Sequence, residues 1–181
     1  YITVSIRMKL QVYSYSEVKK QIVFMNISEL QSLYAKHPGI GATAKLLEES
    51  SVTKIFLGGL CASSAALIFS TLLKSSKKSF VFILGDLEEA GYFYHDLTQI
   101  NGADRILFFP SSYRRAIKYG QKDAANEILR TEVLSRLQKT EEPLCVVTYP
   151  DALAEKVVSR NELIDKTLKL QVGEQVDTGF I

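Results

Sequence analysis

The first stretch of the chain alternates between apolar and polar residues with a period of two. The apolar positions of residues 2–12 are Ile2, Val4, Ile6, Met8, Leu10 and Val12. This period predicts a β-strand with one buried face. Because such a strand needs a sheet edge or a second chain to cover it, residues 2–12 are also a candidate for strand-mediated self-association.

Two short helices are predicted next. Ser28 and Gln31 have the spacing of a capping box, which predicts a helix from Ser28 to about Lys36. The sequence His37-Pro38-Gly39 ends that helix, and a second helix fits residues 41–49.

From residue 53 onwards, apolar strand-like runs alternate with helical patterns. The predicted strands are 54–57, 79–84, 105–109 and 143–148, and the predicted helices are 63–73, 86–99, a long helix opened by Asp123, and 150–155. Such alternation indicates an α/β fold, with a parallel sheet and helices on both of its faces.

Two of these elements carry specific expectations about burial. The run Ser79 to Leu84 has almost only apolar residues, so we expect a strand that is buried on both faces. The long helix is expected to be amphipathic, with an apolar side formed by Ile128, Leu129, Val133, Leu134 and Leu137.

The pattern changes again after Val158. Ser159 and Glu162 form a second capping-box pattern, and residues 167–172 alternate like a strand with one exposed face. We therefore divide the chain into an N-terminal extension (1–24), a first domain (25–158) and the start of a truncated second domain (159–181).

The composition fits a globular protein, with 46% hydrophobic and 23% charged residues among 181. The net charge of +2 is unevenly placed, because residues 1–24 carry +3 and residues 25–181 carry −1. No apolar run approaches the roughly 18 residues of a membrane span, so no membrane partner is expected. Two cysteines and no secretory signal indicate a reduced, cytoplasmic protein.

The junction between the strand at 54–57 and the next helix is the natural phosphate position of such a fold. A P-loop reads Gly-x-x-x-x-Gly-Lys-Ser/Thr. Counted from Gly58, which Gly59 follows, its second glycine, lysine and hydroxyl positions hold Ser63, Ser64 and Ala65. The loop is therefore a degenerate nucleotide loop, expected to bind no cofactor and to serve as a structural turn.

Five stretches carry a further resemblance. They are Ile55 to Leu67, Phe80 to Asp86 with His95-Asp96-Leu97, Asn126 to Leu137, Cys145 to Leu153, and Leu168 to Glu174. Their order and spacing resemble the N-terminal region of the bacterial transcription-repair coupling factor family, Mfd, which is similar to the first domain of the excision-repair protein UvrB. The resemblance covers about residues 27–181 and implies a RecA-like, P-loop-like fold.

Two departures favour the coupling factor over UvrB itself. Resemblance to UvrB implies an intact ATP site, whereas Ser64 stands here in place of the lysine. UvrB also carries a long aromatic β-hairpin that grips damaged DNA, and Pro110 to Lys122 is too short for one.

The resemblance also implies a function. The parent protein is expected to bind stalled RNA polymerase and to displace it from DNA with a separate translocase motor, an ATP hydrolase that needs Mg. The UvrB-like module is expected to be non-catalytic and to recruit UvrA for nucleotide excision repair, mainly through the second domain. This chain holds only the start of that domain, so it is expected to lack much of the UvrA surface and to bind DNA weakly or not at all. The alternative is a phosphate- or nucleotide-binding α/β enzyme domain that uses the loop from Gly58 to Ala65.

One short segment concentrates positive charge and aromatic rings without an acidic residue. Its members are Tyr113, Arg114, Arg115, Lys118, Tyr119 and Lys122. Cations contact phosphates and tyrosines stack on bases, so the segment is a candidate contact for nucleic acid or an acidic partner. A solvated loop that pairs with helix acids remains the other interpretation.

Other chemistry is weakly indicated. With only His37 and His95 and no spaced ligands, no metal site is expected, and no Gly-x-Ser-x-Gly elbow marks a hydrolase. Cys61 precedes a helix, which can activate a thiol, but a buried and inert thiol is the expectation.

Overall fold

Short parallel strands and longer helices alternate in the computed structural model, which describes residues 4–7, 25–49, 51–52, 54–113 and 123–159. Three strands form the main sheet: β3 (Phe80–Ile83), β4 (Ile106–Phe108) and β5 (Cys145–Thr148). Their order is β3-β5-β4 and both pairings are parallel. The register places Val147 of the central strand opposite Phe82 and Phe108.

Helices cover both faces of this sheet. On one face, α4 (Leu87–Asn101) places the Phe93 ring 5.0 Å from that of Phe82 and the Tyr94 ring 5.2 Å from that of Phe108. On the other face, α5 (Ala124–Lys139) places its Arg130 guanidinium 4.2 Å from the ring centre of Phe109. The predicted α/β class, with a parallel sheet between helices, is confirmed.

A second, two-stranded parallel sheet joins β1 (Val4–Arg7) to β2 (Ile55–Gly58), with Val4 opposite Ile55. The predicted N-terminal strand is thus confirmed over four residues, and its partner there is a strand of the same chain. The rest of residues 2–12 lies outside the described residues, and self-association stays a prediction.

The three remaining long helices, α1 (Ile27–Ala35), α2 (Pro38–Glu48) and α3 (Ser64–Ser75), pack together around Ile40, Ile68 and Leu72. Pro38 follows the first helix and is also the first residue of α2. The second helix therefore begins three residues earlier than predicted. Pro fits the first helical turn, where its missing N–H would have no partner in any case.

The capping box of α1 was placed wrongly by the sequence pattern. Asn26, not Ser28, is the cap: its side chain accepts the Glu29 N–H at 2.8 Å, and Glu29 accepts the Asn26 N–H at 3.1 Å. Gln31 is not available for capping because it is buried and its side-chain amide donates to Ser70 of α3 at 3.0 Å. Asn26 and Glu29 therefore form the capping box, and Gln31 makes a buried tertiary contact instead.

Strand β3 is not buried on both faces as predicted. Phe82 packs under α3 and α4, but Val81 and Ile83 on the opposite face are 63% and 59% exposed. The reason is that α5 covers only the β4–β5 side of that face, where Val146 is buried. No described element covers the outer part of β3 on that side.

The expected apolar side of α5 is also wrong in part. Ile128 is 68% exposed and Leu137 is half exposed, whereas Arg130 and Val133 are buried. The last described helix, α6 (Pro150–Leu153), ends two residues earlier than predicted, and this frees Glu155 to turn back toward the sheet.

The second capping box, the strand at 167–172 and most of the proposed second domain lie outside the described residues. The division at residue 158 stays a prediction.

Candidate functional site

The loop between β2 and α3 is the position at which a P-loop fold binds phosphate. Gly59 adopts a φ of +81°, and Ala62 adopts a φ of +46°, which is a left-handed conformation that non-glycine residues rarely take. The chain turns sharply here and enters α3 at Ser64. The loop thus has the strand–turn–helix form of a phosphate loop.

Ser64, which stands at the lysine position, forms hydrogen bonds within the loop. Ser64 Oγ accepts the Cys61 N–H at 2.8 Å, and the Ser64 N–H donates to the Cys61 carbonyl at 3.0 Å. A P-loop instead points its backbone N–H groups at the phosphates and adds an ammonium group. Here the N–H groups of Cys61 and Ser64 are already occupied, and the cation is replaced by a neutral hydroxyl.

The N-terminus of α4, the next helix in the chain, is also unsuited to binding an anion. At the start of α4, Asp86 accepts the Glu89 N–H at 2.9 Å, and Glu89 accepts the Gly85 N–H at 3.0 Å. Glu88 adds a third carboxylate to the same turn. Negative side chains stabilise a helix N-terminus, but they repel a phosphate from it.

The cationic segment begins where β4 ends. Tyr113 is described and is 46% exposed, whereas Arg114, Arg115, Lys118, Tyr119 and Lys122 lie outside the described residues. Their grouping into a contact surface stays a prediction. The structure does describe both residues that flank them, Tyr113 and Asp123, together with what holds these ends.

A buried polar cluster holds the start of this segment. The Glu155 carboxylate accepts the Ser112 N–H at 3.0 and 3.1 Å, the Ser112 hydroxyl at 2.6 Å and the Ser111 hydroxyl. Arg130 of α5 lies 3.5 Å from the same carboxylate, and both side chains are at least 86% buried. We refer to Glu155, Ser111, Ser112 and Arg130 as the Glu155 clasp.

Arg130 ties three segments together. Its Nη1 donates to the Pro110 carbonyl at 2.8 Å and to the Ala152 carbonyl at 3.0 Å. Its guanidinium also covers Phe109, which adds a cation–π contact. The connections that follow β4 and β5 are therefore joined by one buried cation.

Sequence reasoning missed the clasp. Arg130 lies four residues after Asn126 and three before Val133, so a charged residue at helical spacing on the inward side was the available signal. Glu155 gave no signal, because its partners are 43 and 44 residues away in the chain.

The Glu155 carboxyl is more acidic than an ordinary one. Burial acts to raise its pKa, but the hydrogen bonds from Ser111 and Ser112 and the charge of Arg130 outweigh burial, so that the net pKa lies below 4.5. A lowered folded-state pKa stabilises the fold above the unfolded-state pKa. That stabilisation is lost as the pH falls through the folded-state pKa.

The lowered pKa of Glu155 predicts how the stability of the chain depends on pH. We expect the wild-type chain to exceed Glu155→Gln in free energy of unfolding at pH 7, and the gap to narrow progressively below about pH 4.5. Urea unfolding of both proteins between pH 7 and pH 3 measures this gap. A gap that stays constant with pH would show that the carboxylate charge contributes nothing.

The other candidate groups form no reactive centre. Cys145 is buried, and burial raises its pKa to about 12, so that it is a poor nucleophile. Cys61 is exposed, which corrects the expectation of a buried thiol. Within the described ranges, no three His, Cys, Asp or Glu side chains are grouped to hold a metal ion.

A cavity of about 190 Å³ lies at the opposite edge of the sheet, around the starts of β4 and β5. Its floor is apolar, formed by Leu73, Ile106 and Leu144. The lysines at its rim are already engaged: Lys74 donates to Gln31, and Lys78 to the Leu47 carbonyl. None of its lining residues belongs to the loop from Gly58 to Ala65 or to the Glu155 clasp.

Comparison of the chain with family models, with curated proteins and with solved structures gave no match. Among the helices that the structure describes, none has both the length and the apolar character needed to cross a membrane.

Proposed function

We propose that this chain is the non-catalytic N-terminal module of a transcription-repair coupling factor. Its fold is then UvrB-like and RecA-like, with a nucleotide loop that has lost its function. The parent protein displaces stalled RNA polymerase from DNA with a separate ATP- and Mg-dependent motor, and the module serves to recruit UvrA in the cytoplasm.

The observation that carries the non-catalytic part of the proposal is the closed loop at Ser64. Where a motor domain needs a lysine, this chain has a hydroxyl that accepts the Cys61 N–H at 2.8 Å. The acidic start of α4, with Asp86 and Glu89, leaves that helix no more suited to a phosphate. The α/β fold supports the family assignment only at the level of class, because many functions share such folds.

The first experiment tests the loop. We expect the melting temperature of the chain to stay unchanged on titration with ATP–Mg up to about 10 mM. A site with a dissociation constant of about 0.1 mM would stabilise the fold by about 2.7 kcal/mol at that concentration.

A saturable rise in melting temperature would contradict the proposal and favour the alternative of a nucleotide-binding enzyme domain. Magnesium chloride with sodium sulfate at matched ionic strength controls for salt effects. A Ser64→Ala variant is the matched control for the loop, because it removes the hydroxyl without adding a charge.

The second experiment tests the role in the parent protein. We expect deletion of this module from the full-length parent to leave ATP-driven displacement of stalled polymerase intact. Deletion of this module together with the rest of the second domain is expected to abolish co-purification of UvrA. Loss of ATP hydrolysis on deletion would show that the module belongs to the motor, and retained UvrA binding would remove the recruitment role.

A further inference from the structure

Strand β3 forms one edge of the main sheet, and its outer side is unpaired in the described part of the chain. The amides of Phe80 and Leu84 donate to carbonyls of β5 at 2.9 and 3.0 Å. Because successive residues of a strand turn their backbone groups to alternate sides, Val81 and Ile83 present theirs at the outer edge. Among the residues that the structure describes, no strand pairs with that edge.

This edge lacks the features by which proteins usually keep a sheet edge from pairing with another chain. No charged residue and no proline interrupts Phe80–Ile83. The opposite edge of the sheet is β4, which has only three residues, buries both Ile106 and Leu107 and is soon followed by Pro110. The β3 edge is therefore the one that is open to a further strand.

The side chains at this edge are apolar and exposed as well. Val81 and Ile83 lie on the same face of β3 and expose more than half of their surfaces, as described above. An added strand gains most here when it brings its own apolar side chains to the same face, directly opposite these two. The β3 strand of a second copy brings both a free backbone edge and such side chains.

The charges at the two ends of β3 determine how a second copy lies against it. The flanking charged residues are all exposed, namely Lys77 and Lys78 before the strand and Asp86, Glu88 and Glu89 after it. An antiparallel arrangement places the cationic start of each copy beside the acidic end of the other, whereas a parallel one places like charges together. Lys78 already lies 3.8 Å from Glu48, so Lys77 contributes most of the positive charge.

Backbone groups set the register of an antiparallel pairing. The Gly85 N–H, which comes next on the outer edge, already donates to Glu89 at 3.0 Å, so the donors within the strand are those of Val81 and Ile83. A two-fold axis at Phe82 places Val81 of each copy opposite Ile83 of the other. Residues opposed in this way exchange both of their N–H···O bonds, and their side chains meet on the exposed face.

We infer that β3 is a self-association edge: two copies of this chain pair through antiparallel β3 strands centred on Phe82, so that the sheet continues from one copy into the other. This pairing involves neither the loop at Ser64 nor the Glu155 clasp, and it differs from self-association through residues 2–12. The contact is short, which places it among the small interfaces of weak complexes.

Sedimentation equilibrium of the whole chain tests this inference. We expect the mean molar mass to rise toward twice that of one chain between about 5 and about 500 µM, a range that spans weak specific complexes. The double variant Val81→Lys/Ile83→Lys is expected to stay monomeric, because it places lysines against lysines across the axis. Ile128→Lys is the matched control and should behave like the wild type, since Ile128 is equally exposed but lies on α5, which packs against β4 at the far side of the sheet.

Two outcomes would overturn the inference. A wild-type chain that stays monomeric at the highest concentration would mean that the β3 edge does not pair with itself. A dimer that persists in Val81→Lys/Ile83→Lys would place the contact elsewhere in the chain, with residues 2–12 as the next segment to test.

Charge reversal tests the orientation without altering the strand itself. Lys77→Glu and Glu88→Lys are each expected to weaken self-association by about threefold at low salt, because each places like charges together across the axis. Glu88 is chosen because Asp86 and Glu89 make capping bonds at the start of α4. An equimolar mixture of the two variants should associate like the wild type, since opposite charges meet again. Unchanged association of the single variants, or no recovery in the mixture, would contradict the antiparallel pairing.

Discussion

Replacement of Arg130 by alanine is expected to lower the free energy of unfolding by about 3 kcal/mol. The side chain is 8% exposed, so the change removes a buried cation. The Pro110 and Ala152 carbonyls each lose a donor, and the Glu155 carboxylate stays buried without its counter-charge. The cost falls at the low end of the range for a broken buried pair because the serine donors to Glu155 remain.

Urea unfolding monitored by circular dichroism measures this change. Ile128→Ala is the matched control, because it lies on the same helix and its side chain is 68% exposed. We expect that control to stay within about 0.5 kcal/mol of the wild type. Similar losses in both variants would show that Arg130 contributes no more than a surface residue.

A double variant separates the pair from its surroundings. Arg130→Met with Glu155→Gln removes both charges while it keeps most of the volume. The loss in free energy of unfolding should therefore be smaller than the sum of the losses in the single variants Arg130→Met and Glu155→Gln. Simple additivity would mean that Arg130 and Glu155 are not coupled, despite their separation of 3.5 Å.

Leu97→Ala is expected to cost a similar amount, about 3 kcal/mol, for a different reason. Leu97 of α4 is fully buried in the main core, where it packs with residues of β4 and β5. Truncation removes buried methyl groups and leaves a cavity that a close-packed interior fills only in part. The same unfolding experiment measures the loss.

Leu87→Ala supplies the comparison for Leu97. Both residues belong to α4, and leucine and alanine have similar helix propensities, so the two variants differ mainly in burial. Leu87 is 43% exposed, and we expect a loss below about 1 kcal/mol. A loss at Leu97 no larger than at Leu87 would place Leu97 outside the core.

The elements that the sequence predicted correctly are those with strong local signals. Asp86 and Asp123 cap α4 and α5 as expected, because an aspartate before a helix satisfies an exposed N–H within three residues. The runs of apolar residues at β4 and β5 also gave strands at the predicted positions. In each case neighbouring residues hold the information.

The predictions that failed depend on residues far apart in the chain. Gln31, the expected capping partner of Ser28, bonds instead to the buried Ser70, which is 39 residues away. One side of β3 stayed exposed because α5 covers its neighbours and not β3 itself. A local pattern cannot report which helix lies over which strand.

The candidate site divides in the same way. The sequence alone determined the α/β class and the loss of the lysine at Ser64, because strand–helix alternation and loop spacing are local properties. Only the tertiary structure decided that Ser64 closes its own loop and that Glu155, Ser112 and Arg130 meet. Buried polar groups take their partners from whatever the fold brings near, and that proximity is set by packing across the sheet.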